Sequence, residues 1–121
     1  MALAFAAARV VAPAKPMHGA AKQVFGILTL DASYPDDGYT ESQLLALDGL
    51  SPYIRHEIYS LQPLGGALHP NGIDSYPAAW DSAGKRLRFY DSGPANQPHE
   101  EVPAADADLD GVTASIVVIG Y

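Results

Sequence analysis

The chain has 121 residues, a length that predicts one domain with a core of its own, and it lacks cysteine, which excludes disulfides, thiolate metal sites and a cysteine nucleophile. Its net charge of −7 opposes binding to nucleic acid, because affinity for the phosphate backbone comes largely from Lys and Arg. Hydrophobic residues make up 48% of the chain, but ten prolines and eleven glycines divide them into runs far shorter than the roughly 20 residues that span a bilayer. We therefore expect neither a nucleic-acid partner nor a membrane span.

The N-terminal segment, residues 1–19, begins with "MALAFAAARVVAPAKP". It has the small apolar residues of a signal peptide, but it lacks a positive leading segment, and Arg9 interrupts the apolar run. Its prolines suit a central strand poorly. We interpret it as an N-terminal arm or strand ahead of a β-sandwich domain over residues 20–121. An exposed apolar arm needs a cover, so it is expected to cross a subunit boundary, with these interface candidates: Leu3, Phe5, Val10 and Val11.

The first half of the domain shows three periodic segments. "AAKQVFGILTLDASY" has the apolar density of a core strand, ended by the turn signal "YPDDG". In "TESQLLALDGL", Thr40 and Gln43 have the spacing of a capping box, which predicts one short helix within about residues 40–47. "YIRHEIYSLQPL" alternates with period two and predicts a strand. The following "GGALHPNGIDS" is typical of a loop.

The second half predicts a hairpin and a closing strand. In "YPAAWDSAGKRLRFYDSG", two apolar segments flank "DSAGK", and we expect Trp80, Leu87 and Phe89 to form the buried side of the hairpin. "GVTASIVVIGY" is rich in β-branched residues and predicts the last strand. Strands joined by turns around one short helix indicate a mainly β fold: a single-domain antiparallel β-sandwich or barrel, jelly-roll-like or Ig-like, with one short α-helix.

The stretch "DADLDG", residues 106–111, resembles the beginning of a calcium-binding EF-hand loop. Such a loop needs a bidentate Glu at its twelfth position, and Val117 stands there. A strand also follows where a helix should. We interpret the stretch as a solvated acidic loop, with a weak surface calcium site as the alternative.

No catalytic, cofactor-binding or metal-binding residue is predicted. The histidines lack the spacing of a metal motif, and no serine lies in a G-x-S-x-G elbow. His56 and Glu57 are neighbours on a predicted strand, where successive side chains point to opposite faces. A hydrolase using His56 is therefore the weakest of the functional hypotheses, and we expect that the protein is not an enzyme and needs no cofactor.

Tyrosine is the most abundant aromatic residue, because the chain has seven Tyr, three Phe and one Trp. Aromatic side chains with a polar tip are favoured at protein interfaces and in carbohydrate sites, although they also occur in ordinary sheets. As a group the tyrosines favour a binding surface. Tyr34 begins the "YPDDG" turn and Tyr39 follows it, and both are further interface candidates.

The order of three segments resembles the small head decoration, or cement, proteins of tailed bacteriophages. These are "LTLDASYPDDGYT" with the Leu-rich helix, "AAWDSAGKRLRFY", and the terminal "LDGVTASIVVIGY". The likeness covers about residues 20–121. It departs at Asp37, where the pattern prefers Gly, and in a longer middle segment. The resemblance implies a viral structural protein, a homotrimer on the outer surface of the phage head in the virion. There it would bind the major capsid protein and bridge neighbouring subunits.

A second hypothesis is a carbohydrate-binding or fibre-like adhesion module of a virion, suggested by the tyrosines and Trp80. Exposed coplanar aromatic rings lining a groove would favour this alternative, whereas burial of those rings between strands would favour the capsid hypothesis.

Overall fold

A computed structural model describes residues 2–12, 21–72, 75–91 and 100–121. Within these ranges the chain forms nine strands, one α-helix and one 3-10 helix. The strands are β1 Ala4–Val11, β2 Lys22–Thr29, β3 Tyr39–Thr40, β4 Ile58–Pro63, β5 Ala67–Leu68, β6 Ser75–Tyr76, β7 Ala78–Asp81, β8 Arg86–Phe89 and β9 Thr113–Gly120; the helices are α1 Glu41–Leu45 and a 3-10 turn at Ala107–Leu109. The predicted mainly β antiparallel fold with one short helix is confirmed. No helix in the described part of the chain is long and apolar enough to cross a membrane.

The larger of two sheets is built around β9, the strand predicted from "GVTASIVVIGY". Strand β2 pairs with one edge of β9, and β1 lies outside β2. Both β4 and β5 pair with the other edge of β9, and β6 adds to β5. Residues of β9 are buried on the inner side, as at Ile116 and Val118, and Val117 on the outer side is nearly buried as well. This central position explains the continuous apolar run in its sequence.

The smaller sheet has the order β3-β8-β7. Strands β7 and β8 form the predicted hairpin, joined by residues 82–85. The Asp81 carboxylate accepts the N–H groups of Ala83 and Gly84, both at 3.0 Å, and Lys85 takes the positive φ of 55° that closes the turn. Of the residues expected on the buried side, Leu87 and Phe89 are fully buried and Trp80 is partly buried.

One hydrophobic core joins the two sheets. It combines the inner residues of the large sheet with Tyr39, Leu87 and Phe89 of the small sheet. Helix α1 adds Leu44 and begins with the predicted capping box, in which the Thr40 hydroxyl accepts the Gln43 N–H and the Gln43 side chain accepts the Thr40 N–H.

The start of β4 is held by charged side chains from the helix and the hairpin. Glu41 Oε2 accepts the Ile58 N–H at 3.0 Å, and Lys85 Nζ donates to the Ile58 oxygen at 2.6 Å. These two bonds occupy peptide groups at an edge that would otherwise be open to strand pairing.

The predicted strand over "YIRHEIYSLQPL" was wrong in its first half, because β4 begins only at Ile58. Residues 51–53 form a turn instead, and residues 54–57 are irregular. The N–H groups of Arg55, His56 and Glu57 all donate to the main-chain oxygen of Tyr121, at 2.8 to 3.2 Å. Ile54 and Ile58 are both buried, and their spacing of four residues fits a turn as well as an alternating strand. The loop predicted after β4 also contains the two short strands β5 and β6.

The N-terminal residues 4–11 belong to the domain's own sheet as its edge strand. The expectation that its apolar residues are all exposed is wrong for Phe5, which is buried in the core. Two glycines make room for this residue: a Cβ added at Gly26 would overlap the Phe5 ring, and one at Gly49 would overlap the Phe5 main-chain oxygen. The backbone of Gly49 therefore covers the outer edge of β1 at this point. Residues 13–19 of the proposed arm lie outside the described residues.

Candidate interaction surface

The outward side of the large sheet, called the outer face below, is formed by alternate residues of neighbouring strands. The pairing places Arg9, Phe25, Val117 and Gln62 in one row across β1, β2, β9 and β4. Their neighbours along each strand point inward, as Val24 shows by its complete burial. The register of the strands therefore decides which side chains share the outer face.

Two further rows carry the largest exposed side chains. Ile27 lies between Ala6 and Ser115, and Leu64 follows at the end of this row because its N–H bonds to the Ser115 oxygen at 2.8 Å. In the last row Leu68 stands beside Thr113.

Exposed large hydrophobic residues are concentrated on this side of the molecule. Of five such residues in the described ranges, four belong to the outer face: Val11 at 39% exposure, Ile27 at 46%, Leu64 at 52% and Leu68 at 56%. Phe25 and Ile119 on the same face are partly exposed. These side chains gather on one face, with Ser115 between Ile27 and Leu64, and such a concentration indicates a candidate interaction site.

The fifth exposed hydrophobic residue belongs to an aromatic strip at one end of the outer face. The ring of Tyr121 lies between those of His56 and Tyr59, with both centroid distances 5.4 Å and interplanar angles near 30°. Tyr59 is 41% exposed. The rings cover one another rather than presenting side-by-side flat faces.

Arg9 brings a positive charge onto the strands of the outer face, and Glu57 lies at one end of the face beside Tyr59 and Tyr121. The guanidinium carbon of Arg9 lies 5.9 Å from the centroid of the Phe25 ring. Although Arg9 is on the edge strand, this contact brings its charged end over β2, toward the middle of the face. The ion pairs within the described ranges join Arg88 to Asp81 and Glu101, and none includes Arg9.

Carboxylates are excluded from the strands of the large sheet. None of the residues in β1, β2, β4, β5, β6 and β9 is Asp or Glu, although the chain has fourteen such residues. Several acidic residues instead approach one another on loops. Burial raises the pKa of Asp91 above its ordinary value, and the charges of Asp106 and Asp108 add to this effect. The strands of the outer face therefore carry no carboxylate, and Glu57 stands beside them next to Tyr59.

The tyrosines proposed as interface candidates are core residues. Tyr34 and Tyr39 are each 1% exposed, so neither contacts a partner on the surface of this structure. The expectation of an interface role is wrong for both. Their rings pack edge-on against each other at 5.4 Å and against Phe89 at 6.3 Å. Both hydroxyls have internal partners, because Tyr34 accepts the Phe89 N–H at 3.1 Å and Tyr39 donates to Asp31 at 2.9 Å.

The remaining candidates of the N-terminal segment divide between the two sides of β1. Leu3 and Val10 are partly buried and pack against the core, as Phe5 does completely. Val11 lies on the outer face. Only this last residue therefore contributes to the candidate surface.

The acidic stretch 106–111 contains a 3-10 turn with Leu109 buried and the Asp106 carboxylate accepting the Asp108 N–H at 3.0 Å. In the described part of the chain, no three His, Asp or Glu side chains are grouped so that they could hold a metal ion. His56 belongs to the aromatic strip, His69 accepts the Asn71 N–H, and His18 and His99 lie outside the described residues.

The outer face was missed at the level of sequence, although a signal for it exists. Strand β2 has apolar residues at both alternations, with Val24 and Leu28 on one side and Phe25 and Ile27 on the other. A strand with one solvated side would have polar residues at the second pair of positions.

Comparison of the chain with models of known protein families, with curated proteins and with solved structures found no match.

Proposed function

We propose that the protein is a structural binding protein that attaches through its outer face to the outside of a protein shell. The observation that carries the proposal is the contrast between the two parts of the surface. One sheet face has four exposed large apolar side chains and no carboxylate in its strands, while the chain as a whole carries a net charge of −7. Such a face can be covered by a partner without burying the repelling negative charges.

The resemblance to bacteriophage head decoration proteins names the partner in this proposal. The shell is then the phage head, the contacted protein is the major capsid protein, and the protein is a non-enzymatic component of the virion surface. Any homotrimer of the chain would form through surfaces other than the outer face, which is occupied by the capsid.

The energy of a single contact is small. Ile27, Leu64 and Leu68 are each about half exposed, so covering them contributes roughly 1 kcal/mol apiece, half of the value for burying a fully exposed aliphatic side chain. A contact of this strength stabilises a shell through its many symmetric copies, because several weak links act together once the first is made.

The proposal is tested by cosedimentation with empty shells assembled from the major capsid protein encoded in the same genome. The wild-type protein is expected to pellet with the shells in saturable amounts. Ile27→Asp and Leu68→Asp should reduce binding at least about tenfold, because each places a charge in an apolar contact. The matched control is Ala79→Asp, which makes the same kind of change at an exposed position of the small sheet.

Thermal melting separates loss of binding from loss of folding, since the substituted side chains are exposed and the variants should melt within a few degrees of the wild type. Failure of the wild-type protein to bind the shells would remove the proposed function. Equal losses for Ala79→Asp and Ile27→Asp would show that the outer face is not the contact.

The carbohydrate-binding alternative has less support. Of the tyrosines expected to line a groove, Tyr34, Tyr39 and Tyr76 are buried. Tyr59 and Tyr121 stack on each other in the aromatic strip, and this stacking covers one face of each ring.

A further inference from the structure

We infer that the partner of the outer face presents a carboxylate to Arg9, and that the occupant is therefore a different protein rather than a second copy of this chain. The inference rests on the proposed function and adds the chemistry of the partner's surface: apolar, with an acidic residue placed opposite the guanidinium.

Arg9 lies where a partner of the outer face must cover its guanidinium. Its charged end lies over the Phe25 ring and above β2, so a partner that covers Ile27 and Val117 also covers this guanidinium. A charge that is removed from water without a counter-charge costs several kcal/mol, and more than the apolar contact contributes. A stable complex therefore needs an acceptor for the guanidinium, and a carboxylate matches its planar donors best.

The strands of the large sheet contain no carboxylate that could pair with Arg9 of a second copy. If two copies packed outer face against outer face, each would bring an Arg9 and no strand of either would bring an Asp or Glu. Such a pair would bury two positive charges with no carboxylate in the strands of either face, because Glu57 lies beside Tyr121 and outside the row of Arg9. The charge pattern thus opposes self-association through this face and favours an acidic-apolar partner.

Within the described ranges, no carboxylate of the chain itself is paired with Arg9. Among the described residues, the guanidinium contacts the Phe25 ring, which orients the side chain toward an incoming group. An arginine placed in an apolar area in this way is typical of the residues that dominate binding energy at protein interfaces.

The experiment uses the same capsid shells with the variants Arg9→Met and Arg9→Lys of the full chain. Arg9→Met keeps an unbranched apolar side chain beside Phe25 and removes the guanidinium charge, and it should weaken binding at least about tenfold. Arg9→Lys keeps the charge but loses the planar fork, so intermediate binding is expected. Because Arg9 is exposed, both variants should melt within about 2 °C of the wild type.

Shells whose surface carboxylates have been converted to amides with a carbodiimide and glycinamide provide the second arm. On these shells the difference between wild type and Arg9→Met should disappear, because the group that distinguishes them has been removed. A difference that persists on the amidated shells would overturn the inference, since Arg9 would then bind something other than a carboxylate.

Sedimentation of the free protein gives the third arm. Wild type and Ile27→Asp are expected to have the same oligomeric state, because the outer face does not join copies of the chain. Dissociation of an oligomer by Ile27→Asp would overturn the inference.

In the shell-binding assay, Ile27→Asp is expected to lose binding. If Arg9→Met nevertheless binds unmodified shells as tightly as wild type, the inference is overturned, but the proposed function stays in place. Absence of any wild-type binding would remove both.

Discussion

Replacing Tyr34 by Phe removes one oxygen atom and tests how the small sheet is completed. Strand β3 is only two residues long, so it does not reach the part of β8 that contains Phe89. The Phe89 N–H donates to the Tyr34 hydroxyl at 3.1 Å, and the Phe89 oxygen accepts the Val102 N–H at 3.0 Å. A side chain and a loop thus take the place of the missing strand.

The Tyr34→Phe variant leaves the ring and its edge-on contacts in place, but the buried Phe89 N–H loses its acceptor. An unsatisfied buried donor costs about 1–3 kcal/mol, and for a domain of this size that corresponds to a fall of about 4–12 °C in the melting temperature. The free energy of unfolding is measured by urea titration, with Tyr53→Phe as a control at a half-buried tyrosine outside the aromatic cluster. A loss below about 0.5 kcal/mol with an unchanged m value would refute this account of the Phe89 amide.

Two further predictions concern the same core. Gly49→Ala should destabilise the domain by about 1–3 kcal/mol, because the added methyl group meets the Phe5 main-chain oxygen. The control Gly66→Ala has no neighbour closer than 3.8 Å and should change the urea midpoint little. Equal urea midpoints for the two variants would contradict the close approach at Gly49. Burial raises the pKa of Tyr34 to about 12, and burial with the bond to Asp31 raises that of Tyr39 above its ordinary value. Since the folded pKa values exceed the unfolded value near 10, the stability contributed by the protonated hydroxyls is complete below about pH 10 and declines as pH rises toward 12. Urea titrations between pH 9 and 11.5 should show this decline, less steep in Tyr34→Phe; parallel curves for the two proteins would exclude Tyr34 as a cause.

Elements with a local signal were predictable from the sequence. Thr40 and Gln43 stabilise the start of α1 by bonds within four residues, and Asp81 organises the turn of the β7–β8 hairpin in the same local way. Such bonds depend on neighbouring residues alone, so their patterns can be read from the chain. The β-branched run of β9 was equally clear, although its place at the centre of the large sheet was not.

The tertiary structure decided which apolar and aromatic residues are covered. Tyr34, Tyr39 and Phe5 looked like surface candidates in the sequence, but the small sheet and the turn at Gly49 bury them. On the outer face, by contrast, the fold leaves apolar residues exposed. Val24 and Phe25 are adjacent and both apolar, and their sequence does not say which one a second layer will cover. Because the small sheet packs on the side of Val24, the side of Phe25 stays open, and Arg9 is left there without a carboxylate in the described part of the chain. Coverage of a strand depends on layers from distant parts of the chain, and for that reason only the folded structure reveals this face.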